Sequence, residues 1–177
     1  MDKRRPIQAS IDAGGPAEDT ASVAADRFRE AFARWAATVT IVAVRDDEGA
    51  VHATTVSSFA PLSARPPLVV ICLGGGAQVL PFCEPGRKVG VSVLGERQAR
   101  WASIFTDSFP VGAPEWTEGD APRIPGSVAS LTCRVRAIHP ADGGSRLVLC
   151  HVDDVELGDQ DRPLLHWQRG YRRLERS

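Results

Sequence analysis

Four hydroxyl side chains are concentrated in the sequence Thr54-Thr55-Val56-Ser57-Ser58, at the end of a segment with the composition of a β-strand. Hydroxyl groups and backbone amides can bind a phosphate or a polyol without adding charge. The same composition also fits an ordinary Ser/Thr-rich strand end. Because a protein has few small-ligand sites, the residues alone leave both interpretations open.

A glycine-rich bend, Gly74-Gly75-Gly76-Ala77-Gln78, follows directly on the apolar run Leu68–Leu73. Without a Cβ atom, glycines allow backbone N–H groups to approach a ligand closely. The spacing is not the Gly-x-Gly-x-x-Gly of dinucleotide-binding proteins, and the flanking pattern is not a parallel β-α-β unit. The bend is a second candidate ligand-binding segment, and a flexible turn is the alternative.

No other pattern indicates catalytic chemistry. The sequence has no Gly-x-Ser-x-Gly motif, so it offers no serine nucleophile of that type. The histidines and cysteines are widely dispersed, and no metal site is predicted from their spacing (His52, His139, His151, His166, Cys72, Cys83, Cys133 and Cys150). Each histidine alone is more typical of a surface or structural role, and the catalytic residues are unknown at this stage.

Composition excludes several classes of function. The 177-residue chain has 43% hydrophobic and 24% charged residues and a formal net charge of −1. This balance predicts no binding to nucleic acid or to an anionic membrane surface. No apolar run approaches the roughly 20 residues of a membrane helix, and no apolar segment follows the charged start to suggest a secretory signal. We expect a cytoplasmic protein whose cysteines are reduced, buried thiols.

The pattern of elements predicts a mainly β fold. Residues 1–22 are expected to be a disordered tail, and residues 23–177 a single domain. A helix is expected from near Asp26, with an apolar stripe for core packing (Phe28, Ala31, Phe32 and Trp35). About six or seven strands follow, two of them long, at 128–139 and 145–157, with hairpin signals at 46–49 and 142–144. Hairpin-linked strands favour an antiparallel sheet, and a barrel removes its open edges.

Several collinear segments resemble the flavin reductase-like family, the NAD(P)H:flavin oxidoreductase components of two-component monooxygenases. The similarity covers residues 26–175. The most specific pair is Thr55-Val56-Ser57-Ser58-Phe59 followed by Pro66-Pro67-Leu68-Val69. The weaker segments include residues 28–36, 39–42, 80–81, 91–94, 131–135 and 169–174.

This resemblance implies an antiparallel split β-barrel of about six strands with short flanking helices, which forms a homodimer and binds FMN or FAD at the dimer interface. NADH or NADPH would be the co-substrate, and a partner monooxygenase would receive the reduced flavin. Residue-by-residue transfer assigns the flavin contacts to two groups of positions (Thr38, Thr54, Thr55, Val56, Ser57 and Ser58; Cys72, Leu73, Gly74, Gly75, Gly76, Ala77 and Gln78).

The chain departs from the family pattern at three places, one of which is Thr38, which replaces the glycine usual beside the family's first flavin-binding threonine position. Many members have a Gly-Asp-His turn in the late hairpin, and Ser145 occupies the position of that histidine. The bend at Gly74–Gln78 replaces a family sequence rich in serine with one arginine. The leading hypothesis is a flavin reductase. The alternatives are a divergent flavin-binding protein that acts on or carries another ligand in a biosynthetic pathway, and an interaction subunit with a vestigial pocket.

Overall fold

In the computed structural model, residues 25–105, 112–159 and 162–175 can be described. They contain ten β-strands and two α-helices. The helices are α1 (Ala25–Ala33) and α2 (Ala99–Ile104), and short 3-10 turns occupy Leu80–Phe82, Glu96–Gln98 and Asp142–Gly144. The strands are β1 (Ala37–Thr38), β2 (Thr40–Arg45), β3 (Val51–Val56), β4 (Phe59–Ala64), β5 (Pro67–Leu73), β6 (Lys88–Val93), β7 (Ala129–Pro140), β8 (Arg146–Leu157), β9 (Leu165–Trp167) and β10 (Gly170–Arg172).

Seven strands form one antiparallel sheet in the order β3-β2-β6-β7-β8-β5-β4. Its two edge strands, β3 and β4, are consecutive in the chain and are joined only by Ser57 and Ser58. Two residues span at most about 11 Å between the flanking Cα atoms. The sheet must therefore curl until its edges meet at this link, and the absence of a β3–β4 ladder leaves the barrel split. The expected fold class is confirmed.

The seven strands of this sheet agree with the expected count of about six or seven, but β4 itself is not predicted by the sequence pattern. Pro61 and the pair Pro66-Pro67 favour a break in regular structure. Strand β4 nevertheless pairs with β5, and its register shifts between Pro61 and Ser63. An edge strand tolerates proline because one side of its backbone needs no partner.

Strand β2 has an apolar core on each of its faces. Val42 and Val44 belong to a cluster inside the barrel, together with Ile71 and Val148 from the β5–β8 side. Ile41 and Ala43 point the opposite way, into a second cluster with Leu94, Ala102, Ile124 and Leu164. Side chains alternate between the two faces of a strand. Helix α2 and the described part of the 112–128 segment thus cover the outer face of β2.

Residues 25–32 of helix α1 belong to a different compact unit from the barrel, and the helix is described by itself. None of its residues is buried. Phe28 and Phe32 are 55% and 57% exposed and pack on each other with ring centroids 4.4 Å apart, and Trp35 is 67% exposed. Packing of the apolar stripe into the core stays a prediction. The predicted tail, residues 1–22, lies outside the described residues.

A second, three-stranded antiparallel sheet has the order β1-β9-β10. It is connected to the barrel by backbone hydrogen bonds. The Val39 N–H donates to the Leu164 carbonyl at 2.9 Å, and the Leu164 N–H donates to the Leu94 carbonyl at 2.8 Å. These bonds hold the C-terminal hairpin β9–β10 beside the start of β2.

Within the described residues, no helix is long and apolar enough to cross a membrane.

Candidate functional site

The two segments singled out in the sequence meet in the structure. The Ser58 hydroxyl donates a 2.6 Å hydrogen bond to the Cys72 carbonyl, and the Cys72 N–H donates to the Ser58 carbonyl at 3.1 Å. The hydroxyl-rich end of β3 is therefore joined directly to the end of β5, where the glycine bend begins. These bonds join the end of β3 to Cys72, two residues before the glycine bend.

A cleft of about 180 Å³ opens beside this junction, and Val39, Thr55, Val56, Ser57, His166 and Tyr171 line it. Val39 directly precedes β2, residues 55–57 form the end of β3, and the other two lining residues come from the hairpin β9–β10. Val39 and Val56 are buried apolar residues, whereas Ser57 is exposed. The cleft thus combines apolar residues with a few polar groups, which is the usual composition of a small-ligand site.

The predicted residues of β3 divide between the two faces of the strand. Val56 belongs to the barrel interior and Ala53 to the outer cluster, so alternation places Thr54 on the inner face and Thr55 on the outer face. The Thr55 hydroxyl donates to the Ala102 carbonyl of α2 at 3.0 Å. With its proton committed, Thr55 can offer a ligand an acceptor lone pair.

The glycine bend lies beside the late hairpin rather than in the wall of the cleft. All three glycines are exposed, and the Ala77 N–H closes the turn on the Gly74 carbonyl at 2.9 Å. A Cβ atom on Gly75 would lie 2.9 Å from the Gly144 carbonyl oxygen. Ser145, at the position of the family's histidine, follows that glycine and is half-buried.

Other predicted residues lie near the cleft without lining it. Thr38 is in β1 opposite Leu165 of β9. Ser58 and Cys72 form the junction. Leu73 is 1% exposed in the barrel core, so only its backbone could contact a ligand. Gly74, Gly75, Gly76, Ala77 and Gln78 form the neighbouring bend, where their backbone N–H groups could reach an extended ligand.

Sequence reasoning missed three residues of the cleft, namely Val39, His166 and Tyr171. His166 and Tyr171 are direct cross-strand partners in β9–β10. The two strands are three residues long each, and the turn between them, Gln168-Arg169, contains neither glycine nor asparagine. The usual hairpin signal is therefore absent. His166 and Tyr171 are five residues apart, which fits a hairpin with a two-residue turn. Without a recognisable turn sequence, however, this spacing does not predict the hairpin.

Three of the four cysteines have thiols of low reactivity. Burial raises the pKa of Cys83 to about 11 and those of Cys133 and Cys150 to about 12. All four cysteines are free, and Cys72 alone is half-buried rather than buried. In the described ranges no group of histidine, cysteine or acidic residues could hold a metal ion. The titratable side chains of the cleft are His166 and Tyr171.

These residues fit an isoalloxazine ring. The apolar side chain of Val39 suits one flat face, and the hydroxyls of Thr55 and Ser57 suit polar ring atoms or a ribityl chain. The glycine bend adds exposed backbone N–H groups of the kind that bind phosphate. The arrangement supplies binding and orientation, and a bound flavin would supply the redox chemistry.

The curled antiparallel sheet and the cleft at its seam define a split-barrel protein built to bind a flat ring ligand. The family model described as flavin reductase like domain matches residues 32–175. The chain belongs to this family.

Two curated relatives and one solved structure illustrate the range of similar proteins. The reductase component of 4-hydroxyphenylacetate 3-monooxygenase from Thermus thermophilus is 40% identical over 84% of this chain and 96% of its own length. The actinorhodin polyketide dimerase of Streptomyces coelicolor is 32% identical over 86% of this chain and 89% of its own. A Streptomyces globisporus NADH:FAD oxidoreductase, solved with NAD and FAD fragments, has a TM-score of 0.76 at 27% identity and covers 85% of this chain and 92% of its own.

Proposed function

We propose that this protein is an NAD(P)H-dependent flavin reductase that supplies reduced FMN or FAD to a partner monooxygenase. The observation that carries the proposal is the cleft at the barrel seam, where the hydroxyl-rich end of β3 meets the end of β5. The monooxygenase reductase component and the NADH:FAD oxidoreductase described above support the same activity.

The protein's contribution to this reaction is orientation. Hydride transfer from nicotinamide to flavin depends on the stacking and approach of two rings, and it needs no nucleophile from the protein. Val39 would support the flavin ring, while Thr55 and Ser57 hold its polar atoms. The bend at Gly74–Gln78 would hold the phosphate through its backbone N–H groups. An exposed cleft mouth is consistent with release of reduced flavin to a partner.

We also propose that the chain is a homodimer. The outer faces of β5 and β8 carry apolar side chains that belong to neither core cluster, in register with one another: Val70 lies opposite Leu149, and Cys72 lies opposite Leu147. Leu147 is 39% exposed on this face. Contiguous apolar surface of this kind is typical of a protein interface.

Light scattering on a sizing column tests the dimer. The wild-type protein is expected to elute with twice the mass of one chain, and Leu147→Glu is expected to give a monomer because it would bury an unpaired charge. Ala64→Glu, on the exposed end of β4, serves as the matched control. A monomeric wild type would contradict the proposal.

The cytoplasm is the proposed compartment. All four cysteines are free thiols, and reduced thiols persist where the environment is reducing.

The activity is tested by mixing the purified protein with FMN or FAD and with NADH or NADPH. The expected result is loss of nicotinamide absorbance well above the rate without protein. Comparing the rates of the four combinations identifies the preferred flavin and the preferred nucleotide. If no combination exceeds the background rate, the reductase proposal is wrong.

A second function is favoured by Ser145 and by one relative. Ser145 replaces the histidine that many family members carry in this hairpin, and the similar actinorhodin polyketide dimerase has a name that describes different chemistry. A divergent member would bind flavin and act on, or carry, another ligand in a biosynthetic pathway. Flavin fluorescence quenching without nicotinamide oxidation would favour this function over the first.

A further inference from the structure

The hairpin β9–β10 presents two aromatic rings at the cleft. His166 and Tyr171 are cross-strand partners, and their rings meet edge to face with centroids 6.1 Å apart at 69°. Tyr171 also packs against the outer core cluster. The tyrosine ring is thus anchored in the body of the protein, and it supports one side of the imidazole that lines the cleft.

The backbone that carries His166 is fixed from several directions. His166 pairs with Ala37 of β1 on one side and with Tyr171 on the other. At the turn, the Gln168 N–H donates to the Ala33 carbonyl at 2.7 Å. Gln168 and Arg169 have φ values of 48° and 59°, a left-handed conformation that side chains other than glycine rarely adopt. Backbone strain of this kind is concentrated where a site must be held in place.

The polar atoms of this pair have no partner within the part of the chain that the structure describes. Neither ring nitrogen of His166 and no hydroxyl of Tyr171 makes a hydrogen bond there. His52 and His151, by contrast, each bond to an aspartate, at 2.7 Å and 3.0 Å. A half-buried imidazole at a cleft, rigidly held and uncommitted, is available to a ligand.

We propose that His166 is a cofactor-contacting residue whose ring N–H donates a hydrogen bond to the carbonyl edge of a bound isoalloxazine, with Tyr171 as its positioning residue. The inference rests on the proposed flavin binding and adds the group that recognises the ring. One edge of an isoalloxazine carries carbonyls and ring nitrogens, and the other is a dimethylbenzene. A donor that lines the same cleft as Thr55 and Ser57 would select the polar edge.

The same contact would favour the reduced ring over the oxidised ring. Reduction by a hydride adds electron density to the carbonyl edge, and a fixed N–H donor is worth more against developing negative charge. His166 therefore acts on the cofactor through a hydrogen bond and forms no covalent bond with it. The position is distinct from that of Ser145, which lies in the other hairpin.

Lumiflavin, which has the ring system without ribityl phosphate, is the probe that isolates ring recognition. Its binding is measured by fluorescence quenching for the wild type, His166→Phe and His166→Gln. The phenylalanine keeps a flat ring without a donor, and the glutamine keeps a donor without the ring. We expect about tenfold weaker binding for His166→Phe and less than about threefold for His166→Gln, as for loss of one hydrogen bond.

Two further measurements distinguish a contact from a structural role. Lumiflavin should shift the His166 ring resonances in a nitrogen–proton spectrum of the wild type, where the chain has only four histidines to assign. In an anaerobic titration, His166→Phe should lose more affinity for reduced lumiflavin than it loses for oxidised lumiflavin. Tyr171→Ala should weaken binding only while His166 is present, because it acts through the imidazole.

The outcomes separate this inference from the function on which it rests. If the wild type binds neither lumiflavin, FMN nor FAD, the proposed function itself is wrong. If flavins bind to the wild type and to His166→Phe with equal affinity, flavin binding stands and the role of His166 is overturned. The role of His166 is also overturned if its ring resonances do not change on binding. It is overturned as well if His166→Phe and His166→Gln lose equal affinity and both have a lower melting temperature.

Discussion

Ser58 and Cys72 hold each other by two reciprocal hydrogen bonds, one from a side chain and one from the backbone. This pair joins the link between the two sheet edges to the end of β5. Its neighbour Ser57 lines the cleft and makes no side-chain hydrogen bond to the described part of the chain. Adjacent serines therefore have separate roles, one in the scaffold and one at the ligand.

The two serines give a matched pair of variants. Ser58→Ala removes the donor to Cys72 and should lower the free energy of unfolding by about 1 kcal/mol. Ser57→Ala should leave unfolding unchanged and weaken flavin binding severalfold, since it removes an uncommitted hydroxyl from the cleft. Urea unfolding and flavin fluorescence titration measure the two effects. If Ser57→Ala and Ser58→Ala lower the free energy of unfolding equally, the separate roles of the two serines are contradicted.

The close approach of Gly75 to the late hairpin gives a second prediction. A Cβ atom at this position would meet the Gly144 carbonyl oxygen at 2.9 Å, whereas none of the described atoms lies within 4 Å of the corresponding position at Gly76. Gly75→Ala should displace the bend and weaken binding of FMN several times more than binding of lumiflavin, which has no phosphate. Gly76→Ala is the control and should leave both affinities near wild type. A Gly75→Ala protein with normal FMN affinity would exclude the bend from phosphate binding.

Thiol labelling reports whether a ligand approaches Cys72. Burial raises the pKa values of Cys83, Cys133 and Cys150 to about 11–12, so these thiols should react very slowly at neutral pH in the folded protein. We expect one fast-reacting cysteine in the native state and four in denaturant. Bound FMN should slow the fast reaction, and Cys72→Ser should abolish it. Fast labelling of two or more sites would show that the barrel interior is accessible.

The Asp46–His52 pair predicts a pH dependence. The hydrogen bond from His52 lowers the pKa of the Asp46 carboxyl, with help from the N–H groups of Ala50 and Glu48. A carboxyl whose pKa is lower in the folded state stabilises the protein above its unfolded value of about 3.9 and loses that contribution as the pH falls further. Asp46→Asn keeps the acceptor for the turn and removes the charge.

Unfolding free energies of the wild type and Asp46→Asn, measured across pH, test this sign. The wild type should be the more stable above about pH 5, and the two curves should converge below about pH 3. A constant difference at all pH values would mean that the ionisation of Asp46 is not coupled to folding.

Much of the barrel is predictable from local pattern. The long strands expected at 128–139 and 145–157 are found at Ala129–Pro140 and Arg146–Leu157, and the turn between them contains Gly143 and Gly144 at positive φ. Alternation and turn glycines are local signals, so they can be read from a single segment. Strand β4 was not predicted, because Pro61 interrupts the sequence pattern of a strand. Its pairing with β5 in the structure identifies it as a strand.

The site was predictable in part for a related reason. Thr55, Val56 and Ser57 are contiguous and chemically distinctive, and the structure places them in the cleft. His166 and Tyr171 reach the same cleft through the pairing of β9 with β1, more than 120 residues distant in the sequence. Pairing at that separation has no local signature, and the turn residues that create it carry none of the usual hairpin preferences.

Val39, which lines the cleft, directly precedes β2, the strand that is enclosed on both faces. A segment packed into two clusters can open only when both come apart, so its amide protons should exchange with solvent as slowly as whole-molecule unfolding allows. The wall at β9–β10 has no such double enclosure and should exchange sooner. The cleft would then adapt to its ligand by movement of the hairpin β9–β10, while the side next to β2 stays fixed.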